Sequence, residues 1–148
     1  MKITFSPAQE VDVEAIYTFC KDLIAEYETD PIDLDKVLPW CRRKIAGSLP
    51  EYQRILKDGE VVGYIHICPP EQGKKELDDF YLLPEYRGMG IGSGVLRGLC
   101  EQADEQGETL LLYCFKKNEA ALRLYERFGF AVTDVAGGSR VIMERKAK

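Results

Sequence analysis

A strand candidate, a short loop and a helix candidate follow one another between Glu76 and Gln106, and three alternating glycines, Gly88, Gly90 and Gly92, stand where the helix begins. Glycine lets backbone N–H groups approach a ligand without a Cβ in the way and permits positive φ. The first turn of a helix adds unpaired N–H donors and the positive end of the dipole. Such a turn is suited to a phosphate or pyrophosphate, and Arg87 adds a cation beside it. A P-loop requires GxxxxGK[ST], but the sixth position from Gly88 is Ser93 and no lysine follows. A dinucleotide fingerprint requires GxGxxG directly after a strand, but Ser93 replaces its last glycine and the loop from Pro84 to Arg87 intervenes.

The rest of the chain reads as alternating strands and helices. Lys2 to Phe5 is a strand candidate. Ser6 reads as a helix cap with Pro7 at the first helical position, and Ala15, Ile16, Phe19, Leu23 and Tyr27 form one helical face. A second helix runs through Ile45 with Pro39 inside it, where a kink or restart is expected. Tyr52 to Leu56 and Glu60 to Cys68 flank Asp58-Gly59, a strong hairpin signal. Glu76 to Leu83 is a strand stopped by Pro84, and Thr109 to Phe115 is a strand whose Leu110-Leu111-Leu112 run suggests burial on both faces. Asn118 to Phe128 is a helix, and Phe130 to Val135 with Val141 to Glu144 forms a last hairpin. The order is that of an α/β domain with a mixed sheet.

Length and composition narrow the class. The 148 residues suit one domain, 1–148. With 20 basic and 25 acidic residues the net charge is −5, which argues against a nucleic-acid partner. No run reaches the ~18 apolar residues of a membrane span, and the start turns polar too soon for a secretory signal. Five cysteines, none closer than 14 residues to the next, make neither a disulfide framework nor a CxxC pair. His66 is the only histidine, so no metal site and no histidine triad is expected. A reduced, cytoplasmic setting follows as an expectation.

Two segments together carry a resemblance. Arg87, Gly90 and Gly92 fill R-x-x-G-x-G, and Asn118, Ala121, Leu124, Tyr125, Gly129 and Phe130 fill N-x-x-A-x-x-L-Y-x-x-x-G-F. In this order they resemble the GNAT superfamily of acyl-CoA N-acyltransferases, over about 55 residues from Glu76 to Phe130. The resemblance implies a GNAT-like α/β fold, with a mixed, mostly antiparallel sheet of about seven strands and about four helices on both faces. It also implies that the fourth and fifth strands splay apart to admit the cofactor, acetyl-CoA. By the same resemblance the backbone of Phe80, Tyr81 and Leu82 would bind the acetyl carbonyl and upper pantetheine. Gly88, Met89, Gly90, Ile91, Gly92 and Ser93 would wrap the pyrophosphate with Arg87 opening the loop. Asn118 would touch the pantetheine and Tyr125 would be the acid. Helical spacing alone favours Tyr125 as a core aromatic beside Leu124 and Phe128, and only its coincidence with the Arg87 loop turns the reading to function. Proteins of that superfamily are often dimers, and a homodimer is an expectation of the resemblance alone.

Direct transfer to an amine requires the neutral amine, a fraction of about one in a few thousand at pH 7 for a lysine-like group. A carboxylate can remove the proton, and Glu76 or Asp78, on one face of the same strand, are the candidates. Asp22, Glu26, Glu28, Asp30, Asp33 and Asp35 would lie on the acceptor side, where their charge would favour a cationic small-molecule amine. A charge run of this kind also suits plain solvated surface. Tyr27 and Trp40 suit either core packing or the wall of an acceptor pocket. A protein or peptide amine as acceptor, or a non-catalytic acyl-CoA-binding module, are the competing expectations.

Overall fold

The computed structural model describes residues 2–148. Seven strands form one sheet: β1 Ile3–Pro7, β2 Tyr52–Lys57, β3 Glu60–Ile67, β4 Lys74–Leu82, β5 Thr109–Phe115, β6 Ala131–Ala136 and β7 Arg140–Arg145. Four helices accompany them: α1 Val13–Tyr27, α2 Leu34–Gly47, α3 Ile91–Gln106 and α4 Glu119–Arg127. The spatial order is β1-β2-β3-β4-β5-β7-β6, with every neighbouring pair antiparallel except β4 and β5, which run parallel. The mixed, mostly antiparallel α/β sheet expected from the sequence is therefore present.

Two apolar layers sandwich the sheet. On one face Ile91, Val95, Leu96 and Cys100 of α3, with Leu124 and Tyr125 of α4, pack on Ile65, Leu77, Leu110, Leu112 and Met143. On the other, Ile16 of α1 and Ile45 of α2 pack on Tyr52, Tyr64 and Tyr81. Asp58 and Gly59 both have positive φ (50° and 88°), the conformation a two-residue hairpin turn demands.

The first helix begins later than expected. Ser6 and Pro7 lie in β1, paired with Arg54 and Gln53. Proline is tolerated there because β1 is the sheet edge. A 3-10 turn at Glu10–Asp12 then leads into α1. Asp12 anchors that start: its carboxylate accepts from Gln9 N–H (2.8 Å), Arg54 Nε (2.7 Å) and the Tyr64 hydroxyl (2.9 Å). Pro39 sits inside α2 without ending it.

Burial alone would push the Asp12 carboxyl up, but the bonds from Arg54, Gln9 and Tyr64 outweigh it and hold it below the usual aspartate value. Its contribution to stability is present above the ordinary aspartate pKa and is lost as pH falls through the lowered folded value. Asp12→Ala should therefore cost about 2 kcal/mol near neutral pH. Thermal melts should show the variant losing less of its remaining stability on acidification than the wild type.

Candidate active site

The parallel pair β4/β5 is short. Its register runs Lys74↔Thr109, Lys75↔Leu110 and Glu76↔Leu111 and stops there. Beyond Glu76 the two strands part, and a cleft of about 1340 Å³ opens between them. The antiparallel ladder to β3, fixed by the Leu83 N–H bond to Val62 O (2.8 Å), turns the N–H groups of Tyr81 and Asp79 toward β3. By alternation the N–H groups of Phe80 and Leu82 face the gap.

The glycine turn closes one end of this cleft. Gly88 and Gly90 have φ of 76° and 83°, with open space where a Cβ would stand. Gly90 is the N-cap of α3 and no side chain caps it, so the first-turn N–H groups remain available. Arg87 folds back, its Nε donating to Leu82 O at 3.0 Å. Ile91, 1% exposed, plugs the start of α3 into the core, and Met89 turns outward at 49% exposure. Of the residues singled out from sequence, Met89 and Ile91 do not line the cleft. Glu76, Asp78, Phe80, Tyr81, Leu82, Arg87, Gly88, Gly90, Gly92, Ser93, Asn118 and Tyr125 all do.

Asn118 is the N-cap of α4, its Oδ1 accepting from Ala121 N–H at 3.3 Å. Tyr125 lies edge-on to Phe130 (centroids 5.6 Å apart, 64°). Burial, with a smaller push from Cys114, raises its hydroxyl well above the usual tyrosine value, so it stays protonated.

A β-bulge reorganises the carboxylates on β4. Leu77 pairs with Ile67 and Asp79 with His66, leaving Asp78 as the extra residue. The bulge brings Asp79 into the cleft lining with Glu76 and Asp78, although simple alternation assigns it to the other face. Asp78 Oδ2 accepts from Lys44 Nζ (2.6 Å) and His66 Nδ1 (2.9 Å), and His66 Nε2 lies 2.7 Å from Glu51 Oε1. Asp79 accepts from the hydroxyls of Tyr52 and, at 2.8 Å, Tyr81.

The environments push these acids apart. Burial would raise Asp78, but His66 and Lys44 outweigh it and bring it down to about 2. Burial and the neighbouring Asp78 charge raise Glu76, and the same two causes raise Asp79. Burial would lower His66, but its bonds to Asp78 and Glu51 win and raise it. His66, Asp78 and Asp79 have ligand atoms within 4.8 Å of one another, as do Glu51, His66 and Cys68. Both His66 nitrogens and Asp78 Oδ2 are already committed to protein partners, so the donors fit a charge network better than a metal shell. Lys44, His66 and Asp79 were not legible as site residues: the bulge that assembles them has no sequence signature.

A loop also bridges the open end of the cleft. Asp30, between α1 and α2, accepts from Gly138 N–H (2.9 Å) in the β6–β7 turn, and Tyr27 stacks on Phe115 (6.3 Å, 26°). Asp33 caps α2 through Asp35 N–H (3.1 Å). Of the acidic run, Asp22, Glu26 and Glu28 line the cleft, and Asp30, Asp33 and Asp35 do not. Trp40 lines it too and is 54% exposed, which sets aside its core-packing reading.

Residues 13–130 match the acetyltransferase (GNAT) family. The chain belongs to that family. Among curated members, the N-acetyltransferase YycN of Bacillus subtilis is 37% identical over 84 residues, 54% of each chain. The spermine/spermidine N(1)-acetyltransferase of B. subtilis is 33% identical over 86 residues, 57% of this chain and 47% of that one. The chain thus spans about half the length of the curated relatives it matches. In three dimensions the PaiA N-acetyltransferase of Thermoplasma acidophilum, solved with coenzyme A, superposes with a TM-score of 0.72 over 99% of both chains at 22% identity. That likeness establishes the GNAT fold.

A Cβ at Gly138 would collide with Asp30 Oδ1. Gly138→Ala should therefore release the loop from the β6–β7 turn, and hydrogen exchange should show faster amide exchange from Glu28 to Asp33 with β2 and β3 unchanged.

Proposed function

We propose that the chain is an acetyl-CoA-dependent N-acetyltransferase that passes the acetyl group directly to a small cationic primary amine. The observation that carries this reading is the parting of β4 and β5 opposite an uncapped, glycine-built helix start, with Glu76 and Tyr125 in the same cleft. Donors at Gly88 to Ser93 suit a diphosphate, and the unpaired edge of β4 suits an extended amide-bearing arm. Gly88 and Gly90 offer the positive φ and open space such a cradle needs, so the residues fit coenzyme A.

In the transfer, the amine nitrogen bonds to the thioester carbonyl carbon and the C–S bond breaks. Glu76 takes the amine proton; its raised pKa brings it nearer the working pH than an ordinary glutamate. The N–H of Phe80 or Leu82 faces the developing oxyanion. Tyr125, kept protonated by burial, supplies a proton to the departing thiolate. Asp22, Glu26 and Glu28 favour a cationic acceptor, and the loop bridging the open end favours a small one. The partial likeness to a spermine/spermidine acetyltransferase points the same way.

The test is a panel of diamines, polyamines, amino sugars and peptides with acetyl-CoA, following free CoA release and acceptor mass. Small cationic amines should gain about 42 Da, one acetyl group less the hydrogen it replaces, ahead of peptides at about tenfold or more. No transfer to any amine would leave only a binding module. Tyr125→Phe should lower kcat by about a hundredfold with little change in coenzyme A affinity. Gly90→Val, strained at its positive φ, should abolish the rise in Tm that coenzyme A produces in the wild type.

A further inference from the structure

In the transfer, Glu76 and Tyr125 move protons, while the network around Asp78 has no such part. That network is nonetheless densely bonded. One oxygen, Asp78 Oδ2, takes hydrogen bonds from Lys44 Nζ on α2 at 2.6 Å and from His66 Nδ1 on β3 at 2.9 Å. His66, 2% exposed, is held on its other side by Glu51 at 2.7 Å and stacks on Tyr52 at 4.3 Å. Lys44 reaches inward across Trp40, its Nζ 5.8 Å from the ring centroid. A carboxylate shared between an ammonium and a ring N–H can neither swing toward an acceptor nor readily accept a proton.

We propose that Lys44 and His66 are positioning residues of acetyl transfer: they clamp Asp78 as a fixed anion and so leave removal of the acceptor's proton to Glu76. This rests on Glu76 being the base. The charged and titratable groups around Glu76 come from several elements: Asp78 and Asp79 from β4, His66 and Cys68 from the β3 side, Lys44 from α2, and Glu51, held through His66, from the turn before β2. The Cys68 thiol, pushed up to about 12 by burial and the surrounding acids, carries no charge at working pH. Against Glu76 ionisation stand burial and the Asp78 anion; for it stand the Lys44 and His66 cations. Removing Lys44 must therefore make Glu76 harder to ionise, and removing the Asp78 charge must make it easier.

Carboxyl carbon shifts of Glu76, followed by NMR against pH in the full chain with coenzyme A bound, read this directly. The titration midpoint should move to higher pH in Lys44→Met and to lower pH in Asp78→Asn. Lys44→Arg should restore the wild-type midpoint. Lys44 is partly exposed, so its variants keep the test open even if Asp78→Asn fails to fold. In parallel, the acid limb of kcat/KM is measured with acetyl-CoA and 1,4-diaminobutane, or whichever amine leads the panel, and should track the midpoint in each variant. A Lys44→Met midpoint equal to the wild type's, with the rate limb still following it, would overturn the clamp while sparing the base. Midpoints that shift without the rate limb would show that Glu76 is not the base, and the proposal would fall with that reading.

Discussion

Everything in this molecule depends on where β4 stops pairing with β5. Three residue pairs hold the strands together, and from Asp78 onward β4 has β3 on one side and a gap on the other. Unpaired backbone groups inside a fold are costly unless something satisfies them. Here they line a cleft, where a ligand or water can reach them. The same divergence gives α3 room to point its uncapped first turn at the opening, because Ile91 fixes that turn in the core below.

The bulge at Asp78 is the second local irregularity with large effect. By adding one residue against β3 it gathers Glu76, Asp78 and Asp79 around one basin, where like charges must be reconciled. Lys44 and His66 satisfy Asp78, two phenols satisfy Asp79, and burial with the Asp78 charge works against ionisation of Glu76. Groups with pKa values driven apart within one site are the pattern expected of acid–base chemistry.

Much of this was legible in the residue string. Asp58-Gly59 specified a hairpin, and Gly88 with Gly90 announced the helix start, because each depends on backbone freedom that only local sequence supplies. The misplaced beginning of α1 shows the opposite case. Ser6 and Pro7 look like a helix start in isolation, but pairing with β2 and the Asp12 bonds to Arg54 and Tyr64 decide the matter from 42 and 52 residues away. The acidic run was legible as charge but not as function, since Asp30 and Asp33 spend their oxygens on Gly138 and on the cap of α2. Lys44 and His66 escaped for the same reason as Asp79: a bulge is a property of two strands together.

The bond from Gly138 to Asp30 joins the two wings of a V. The loop bearing Asp30 rides on α1 and α2, and these pack on β2, β3 and β4; the turn bearing Gly138 belongs to the β5–β7 wing. The apex is fixed at Glu76 and Leu111, and at the open end this polar contact acts beside the Tyr27–Phe115 stack with the longest lever arm. Small changes in that contact translate into larger changes in width at the mouth than at the hinge, which makes the tie between these two surface loops a natural gauge of how bulky a guest the interior admits.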